Sequence, residues 1–166
     1  MRKLTLMFLC LVLAVASVSS IYAETSNVSS DKSKFYINLG ALANQDFNEF
    51  YWQVGAMLDL PLGSNLFLTP EAMIIGYKFA FDDVYFFPGA TMNLKFGNKG
   101  NEFFVGGGLL VYFTLANELA GGDEIMLKIH GGFIGDNIKL TIYTYDYFEG
   151  GLFDYLYIGA NVGFAL

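Results

Sequence analysis

The chain is 166 residues long, 54 % hydrophobic and 17 % aromatic, with 16 acidic residues against nine basic ones and a formal net charge of −7. That length bounds it to one domain of ordinary size, and the acidic balance excludes nucleic acid as a partner, because phosphate binding needs a basic footprint. A single cysteine excludes a disulfide framework within the chain and a thiolate metal site.

At the N-terminus, Arg2 and Lys3 precede the apolar run LTLMFLCLVLAVASV and a short polar stretch that ends at Ala23. This is the layout of a secretory signal peptide over residues 1–23, and it directs the chain to the periplasm. The apolar run is too short for a comfortable membrane-spanning helix. Cleavage after Ala23 removes Cys10 and Arg2, so the mature chain is expected to contain neither cysteine nor arginine. Residues 24–34, ETSNVSSDKSK, are polar and aperiodic and read as a disordered lead-in.

Residues 35–166 alternate with a period of two. Strands are expected near 35–42, 51–60, 66–77, 84–96, 103–114, 125–134, 138–145 and 155–166, and in each one parity class is free of charge. Trp52, Val54, Ala56, Leu58 and Leu60 form that class in the second stretch, and Ile158, Ala160, Val162, Phe164 and Leu166 belong to it in the last. Successive strand residues point to opposite faces, so every stretch predicts one uninterrupted apolar surface. The opposite parity holds Asn38, Gln53, Asp59, Glu71, Asn93, Lys95, Lys128, His130, Lys139 and Asn161. A lysine facing lipid at mid-depth costs roughly 2–4 kcal/mol, so the confinement of every strand lysine to the other parity favours lipid outside and polar groups inside. A soluble lipocalin-like barrel is the alternative. It would turn the polar class to water, yet that class is poor in the Lys, Glu and Thr of a solvated sheet and rich in Tyr, Gly and Met.

The connections alternate in length. PLGSN, GNKGN and GDN are tight, whereas ANQDFNEF, KFAFDD, LANELAGGDE and DYFEGGLFD are mostly longer, acidic and aromatic. Short periplasmic turns and longer outer loops are the pattern of bacterial outer-membrane barrels, so both termini are expected at the periplasmic side. Pro70 and Pro88 fall within strands on the apolar parity. Neither can donate to a ladder, and a β-bulge is expected at each.

The motifs LFLTPEAMIIGYKF, FFPGATMNLKF, FFVGGGLLVYF and the closing YLYIGANVGFAL resemble those of the small outer-membrane β-barrel proteins, the class that includes the OmpA-type transmembrane domain and OmpX. The resemblance implies an all-β fold, an eight-stranded antiparallel up-and-down transmembrane β-barrel over residues 35–166. It implies outer-membrane lipid and lipopolysaccharide as surroundings, and recognition of the C-terminal strand by the barrel-assembly machinery. The terminal residue is Leu166 where the family usually places Phe, with Phe164 two positions earlier.

Chemistry has few parts to draw on. After the lead-in the only serine is Ser64, in a short turn, and the only histidine is His130, in the context KIHGGF. A nucleophile, base and orienting acid do not assemble from these, so no enzyme is expected. No cofactor and no metal are expected either, and no loop matches a spaced calcium motif. A narrow barrel must pair its inward charges. The expected lumen network is Asp59, Glu71, Lys95, Lys128, His130 and Lys139, with Glu71 paired to Lys128 or His130, and Asp59 to Lys95 or Lys139. Inward aromatic residues make a candidate apolar or aromatic pocket of Tyr51, Tyr77, Tyr85, Phe87, Tyr112, Tyr143, Tyr145 and Tyr157. The acids Asp46, Glu49, Asp82, Asp83, Glu118, Asp123, Glu124, Asp146, Glu149 and Asp154 are assigned to the outer loops. Together these features predict a monomeric, non-enzymatic barrel with a structural or surface-interaction role, with a narrow pore or apolar-ligand channel as the alternative.

Overall fold

The computed structural model describes residues 32–77, 84–98, 100–114, 124–147 and 156–166. The expected signal peptide, residues 24–31 of the lead-in, and the loop acids Asp82, Asp83, Glu118, Asp123, Glu149 and Asp154 lie outside them. Period-two alternation becomes eight strands: β1 (Lys34–Asn44), β2 (Phe50–Pro61), β3 (Leu66–Tyr77), β4 (Val84–Asn98), β5 (Asn101–Thr114), β6 (Glu124–Ile134), β7 (Ile138–Tyr147) and β8 (Tyr157–Ala165). Each end falls within two residues of its expected place. Every strand pairs antiparallel with its sequence neighbours, and β8 pairs with β1. Closure leaves no unpaired edge, which a sheet surrounded by lipid requires.

The register fixes the shape. A path of directly opposed residues leaves Asn44, passes Tyr157, Tyr145, Lys128, Gly108, Thr91, Thr69 and Asp59, and returns to β1 at Lys34, ten positions from its start. On this path only the step from Thr69 to Asp59 lies in a ladder gap, and it is bracketed in the same register by Met57 with Glu71 and Leu60 with Leu68. With a rise of about 3.3 Å per residue and a spacing of about 4.8 Å between strands, a stagger of ten over eight strands tilts them by about 41° and sets a backbone radius of about 8 Å. An eleven-residue strand such as β1 at that tilt spans about 27 Å, close to the apolar belt of a membrane barrel. So small a radius leaves room for side chains and little else.

The sidedness is inverted relative to a soluble barrel. Outward residues such as Leu39, Val105, Leu109, Ile129 and Ile142 are half or more exposed, with Ile142 at 68 %. Inward Asn38, Glu71, Asn93, Lys128, Lys139 and Asn161 are each 5 % exposed or less. Apolar atoms face out and, Asp146 near the loop end apart, the charges of the described strands face in.

Two expectations need correction. The β3–β4 ladder runs unbroken through Pro70 and Pro88, so neither proline interrupts it. The breaks occur on the far sides. Pairing of β2 with β3 lapses where Leu58 and Asp59 face Pro70 and Thr69, and pairing of β4 with β5 lapses where Phe87 and Pro88 face Tyr112 and Val111. The register is identical before and after each lapse, so there is no bulge. The missing donors are absorbed as gaps, because a bulge would move every following side chain to the opposite face. The second correction concerns Asp146. β7 runs to Tyr147, so Asp146 is a buried strand residue opposite Leu127, on the outward parity and near the loop end, rather than a loop acid.

Glycine serves two close approaches. The indole of Trp52 lies over Gly76 on the outer face, and the ring of Tyr143 lies over Gly159 in the lumen; a Cβ at either glycine would overlap the ring. Each aromatic side chain thereby covers a backbone that has no side chain of its own.

Candidate functional site

The lumen is the candidate site, and the stagger sorts its side chains into three levels about 10 Å apart along the barrel axis. The lowest lies near the terminus end. Lys139 Nζ is 2.7 and 2.8 Å from the two carboxylate oxygens of Asp59, and the rings of Phe104, Phe67 and Tyr36 stand 4.8, 5.0 and 5.5 Å from the ammonium. Burial costs that ammonium its water, and the carboxylate and ring faces replace it.

A relay of neutral groups shares this level. Thr69 Oγ1 donates to Asp59 Oδ1 at 2.7 Å, and Asn93 Nδ2 donates to Thr69 Oγ1 at 3.0 Å. The amide nitrogen of Asn93 is thereby committed as a donor, so its oxygen faces His130 Nε2. With the amide so oriented, Asn93 Oδ1 is the acceptor for an N–H at His130 Nε2. Lys95 takes a different partner: its ammonium is 3.1 Å from Glu102 across the tight β4–β5 hairpin, where Gly97 and Gly100 adopt φ of 114° and 85°.

The middle level holds the second buried pair. Lys128 Nζ lies 2.8 and 2.6 Å from the two oxygens of Glu71, with side-chain exposures of 2 % and 1 %. The rings of Tyr143 and Tyr145 stand 5.3 and 5.8 Å from the ammonium. Tyr143 donates its hydroxyl to Gln53 Oε1; Gln53 Nε2 reaches Met73 Sδ at 2.7 Å, and the Tyr145 hydroxyl reaches the same sulfur at 3.3 Å. Buried on every side, these groups fill the cross-section.

The top level is aromatic. A cavity of about 110 Å³ is lined by Tyr51, Tyr85, Phe87, Tyr112, Tyr145 and Tyr157, together with Tyr147 and the apolar side chains Leu42, Ile75 and Met126. Tyr77 packs at a tilt against Tyr51 with centroids 5.1 Å apart but does not line the cavity. Tyr143 is buried beneath it.

Of the partners open to Asp59, Lys139 takes the contact and Lys95 does not; of those open to Glu71, Lys128 takes it and His130 does not. Glu102, Thr69 and Tyr147 are site residues the sequence reading passed over. The inward parity of Thr69, between Phe67 and Glu71, was the available signal. For Glu102 it was the diagonal to Lys95 that a tight hairpin creates. Tyr147 lay beyond the expected end of its strand. Among the described residues, no cluster of three or more His, Cys, Asp or Glu side chains is arranged to hold a metal ion.

The sequence matches no protein-family model and no curated protein. Solved structures do match in fold. A de novo designed transmembrane β-barrel superimposes with a TM-score of 0.55 at 11 % identity, covering 84 % of this chain and all of its own. The N-terminal β-barrel domain of Pseudomonas aeruginosa OprF superimposes with a TM-score of 0.53 at 16 % identity, covering 80 % of this chain and 97 % of that domain. The fold is that of a small membrane β-barrel. At such identities the likeness speaks to the backbone alone.

Proposed function

We propose that this chain is a non-enzymatic integral outer-membrane barrel, exported behind a signal peptide at residues 1–23 and inserted as a monomer among lipid and lipopolysaccharide. Its role is structural or surface-interacting, exercised through the loops, with β8 as the segment offered to the barrel-assembly machinery. The observation that carries this reading is the inversion of the barrel: half-exposed Leu, Ile, Val and Phe outside, buried ion pairs inside. Water outside would leave that belt as an exposed apolar surface far beyond what a monomeric soluble protein shows. The absence of catalysis is supported by the distance in the fold between Ser64, exposed in the β2–β3 turn, and His130, enclosed in the lumen and engaged with Asn93.

Cell fractionation combined with gel migration before and after boiling tests the proposal. The expected result is recovery in the outer membrane and a faster-migrating folded band that shifts on boiling. A soluble periplasmic chain indifferent to boiling would overturn it. A second reading, a narrow water path, draws on one wall of the lumen. On β6, β7, β8 and β1 the side chains of His130, Thr141, Asn161 and Asn38 carry buried polar atoms with no hydrogen-bond partner among the described residues. Such groups are ordinarily satisfied by internal water. Steady conductance of the wild type in planar bilayers would favour this reading; a closed membrane favours the filled lumen.

A further inference from the structure

Between the lowest and middle levels of the lumen, four successive strands carry a belt of unmatched polar groups. His130 on β6, Thr141 on β7, Asn161 on β8 and Asn38 on β1 are each more than nine-tenths buried. His130 Nδ1, Thr141 Oγ1 and both amide atoms of Asn161 and of Asn38 have no hydrogen-bond partner among the described residues. From this we infer that the belt binds a cluster of ordered water in a closed compartment, cut off from both mouths of the barrel. Such a compartment goes beyond the structural role proposed above, and it draws on the same wall as the narrow water path while opening to neither side.

Three observations support it. First, the groups converge. Thr141 directly opposes Asn161 across the β7–β8 ladder. Asn161 opposes Gly40, two residues from Asn38, and Thr141 opposes Gly132, two residues from His130. By the stagger all four lie within about 3 Å of one another in height, so they form one site and not a file along the axis. Second, the inward positions around them are small. Gly40, Gly55, Gly106, Gly108 and Gly163 share the inward parity within about 5 Å of that height and send no side chain toward the axis. Third, the lumen is apolar on both sides of the belt. About 8 Å above it lies a cluster that includes Leu42, Met73, Phe87, Leu110 and Tyr145, and about 9 Å below it Phe67, Phe104 and Ile134 pack into another. Water leaving the belt would have to cross an apolar constriction that offers it few hydrogen bonds.

These features select the occupant. The unmatched atoms include donors, in the two amide NH2 groups and the Thr141 hydroxyl, and acceptors, in the two amide oxygens and in His130 Nδ1 once the N–H is at Nε2. A cation would satisfy the acceptors alone, between the levels of the Lys128 and Lys139 ammoniums. An anion would satisfy the donors alone, between the levels of the Glu71 and Asp59 carboxylates. Each lysine is already paired with its carboxylate, so neither level leaves a net charge to neutralise. Water donates and accepts, and its ordinary place inside a protein is among buried polar groups that lack other partners.

The test uses the full barrel, folded in detergent micelles for NMR and in lipid vesicles for transport and stability. The side-chain NH2 protons of Asn38 and Asn161 are expected to show cross-relaxation with water, of the sign given by long-lived bound water. Thr141→Val keeps the shape of the side chain and removes its hydroxyl. In that variant the signal at Asn161 should survive, while the folding equilibrium constant measured in urea should fall about two- to tenfold, because a water-bonded hydroxyl is lost. Stopped-flow osmotic shrinkage of vesicles carrying the wild type should match that of protein-free vesicles. No water contact at either amide would overturn the inference, as would a Thr141→Val barrel at least as stable as the wild type, since both mean a dry wall. Loss of the Asn161 signal in Thr141→Val would trace it to the hydroxyl and also overturn it. Shrinkage several-fold faster than that of protein-free vesicles would mean a path through the barrel and overturn the closed compartment. If Thr141→Val no longer folds, the two wild-type measurements decide. A wild type that does not migrate as a folded, heat-modifiable band breaks the membrane reading itself; a folded barrel with dry amides or fast shrinkage breaks only this inference.

Discussion

At the middle of the lumen Glu71 and Lys128 are nearly without solvent, each completing the other, with tyrosine rings against the ammonium. About 10 Å above them by the stagger, the same kinds of side chain surround a cavity. The lower region pairs its charges internally, while Asn38, His130, Thr141 and Asn161 on one wall keep buried polar atoms without a partner among the described residues. The upper region instead leaves a small cavity among tyrosine rings that pack on one another. The difference shows how one narrow cylinder can hold paired charges over most of its height and an aromatic-lined cavity toward its mouth. Among the described residues, the buried lysines lie in the lower region and the tyrosine-lined cavity in the upper one.

The largest expected effect breaks the lower region. Glu71→Ala strands the Lys128 ammonium in a buried site and should cost about 3–5 kcal/mol, and Lys128→Ala should cost a similar amount. The double substitution should cost less than the sum, which identifies a true pair. Urea unfolding of the barrel in lipid vesicles measures all three, and strict additivity would contradict the pairing. Next comes a contrast between inside and outside. Ile129 lies at the height of that pair but on the outward face, 52 % exposed. Ile129→Lys should cost about 2–4 kcal/mol in vesicles, since the new charge meets hydrocarbon. A neutral outcome would mean that the face meets water. Thr69→Val removes the hydroxyl that joins Asn93 to Asp59 and should cost about 0.5–1.5 kcal/mol, the worth of a hydrogen bond, because Asn93 Nδ2 keeps Thr91 as an acceptor. The smallest effect belongs to the terminus end, where Lys95 and Glu102 are 13 % and 16 % exposed. Lys95→Met should cost no more than about 1 kcal/mol, because partly wet pairs contribute little.

The strands were legible because parity is a local property. Val105, Leu109, Val111 and Phe113 announce one face of β5 without reference to any other strand, and the length of each connection distinguishes the two ends. What parity does not encode is the stagger. Whether Asp59 reaches Lys95 or Lys139 depends on a ten-residue offset accumulated around the whole circle, which no single strand contains. The same offset decides which tyrosines share a level, and so Tyr147 joined the cavity lining while Tyr143 fell below it. The prolines misled for a related reason. Lacking a donor is visible in sequence, but the choice between a bulge and a gap depends on the cost of turning the rest of the strand inside out. Asp146 was read as a loop acid because it opens the acidic, aromatic stretch DYFEGGLFD beyond the expected strand end, and only the extension of β7 to Tyr147 draws it into the sheet.

Lipid contact with the outward face is the central claim, and the chain carries its own reporter of it. It has one tryptophan, Trp52, on the outward parity of β2 with its ring over Gly76 and toward the loop end. In vesicles of brominated phospholipid its fluorescence should be blue-shifted and strongly quenched, more by bromines placed near the headgroups than by bromines near the chain ends. Iodide in the surrounding buffer should quench it weakly. Strong iodide quenching with no effect of brominated chains would place Trp52 in water and contradict the membrane barrel.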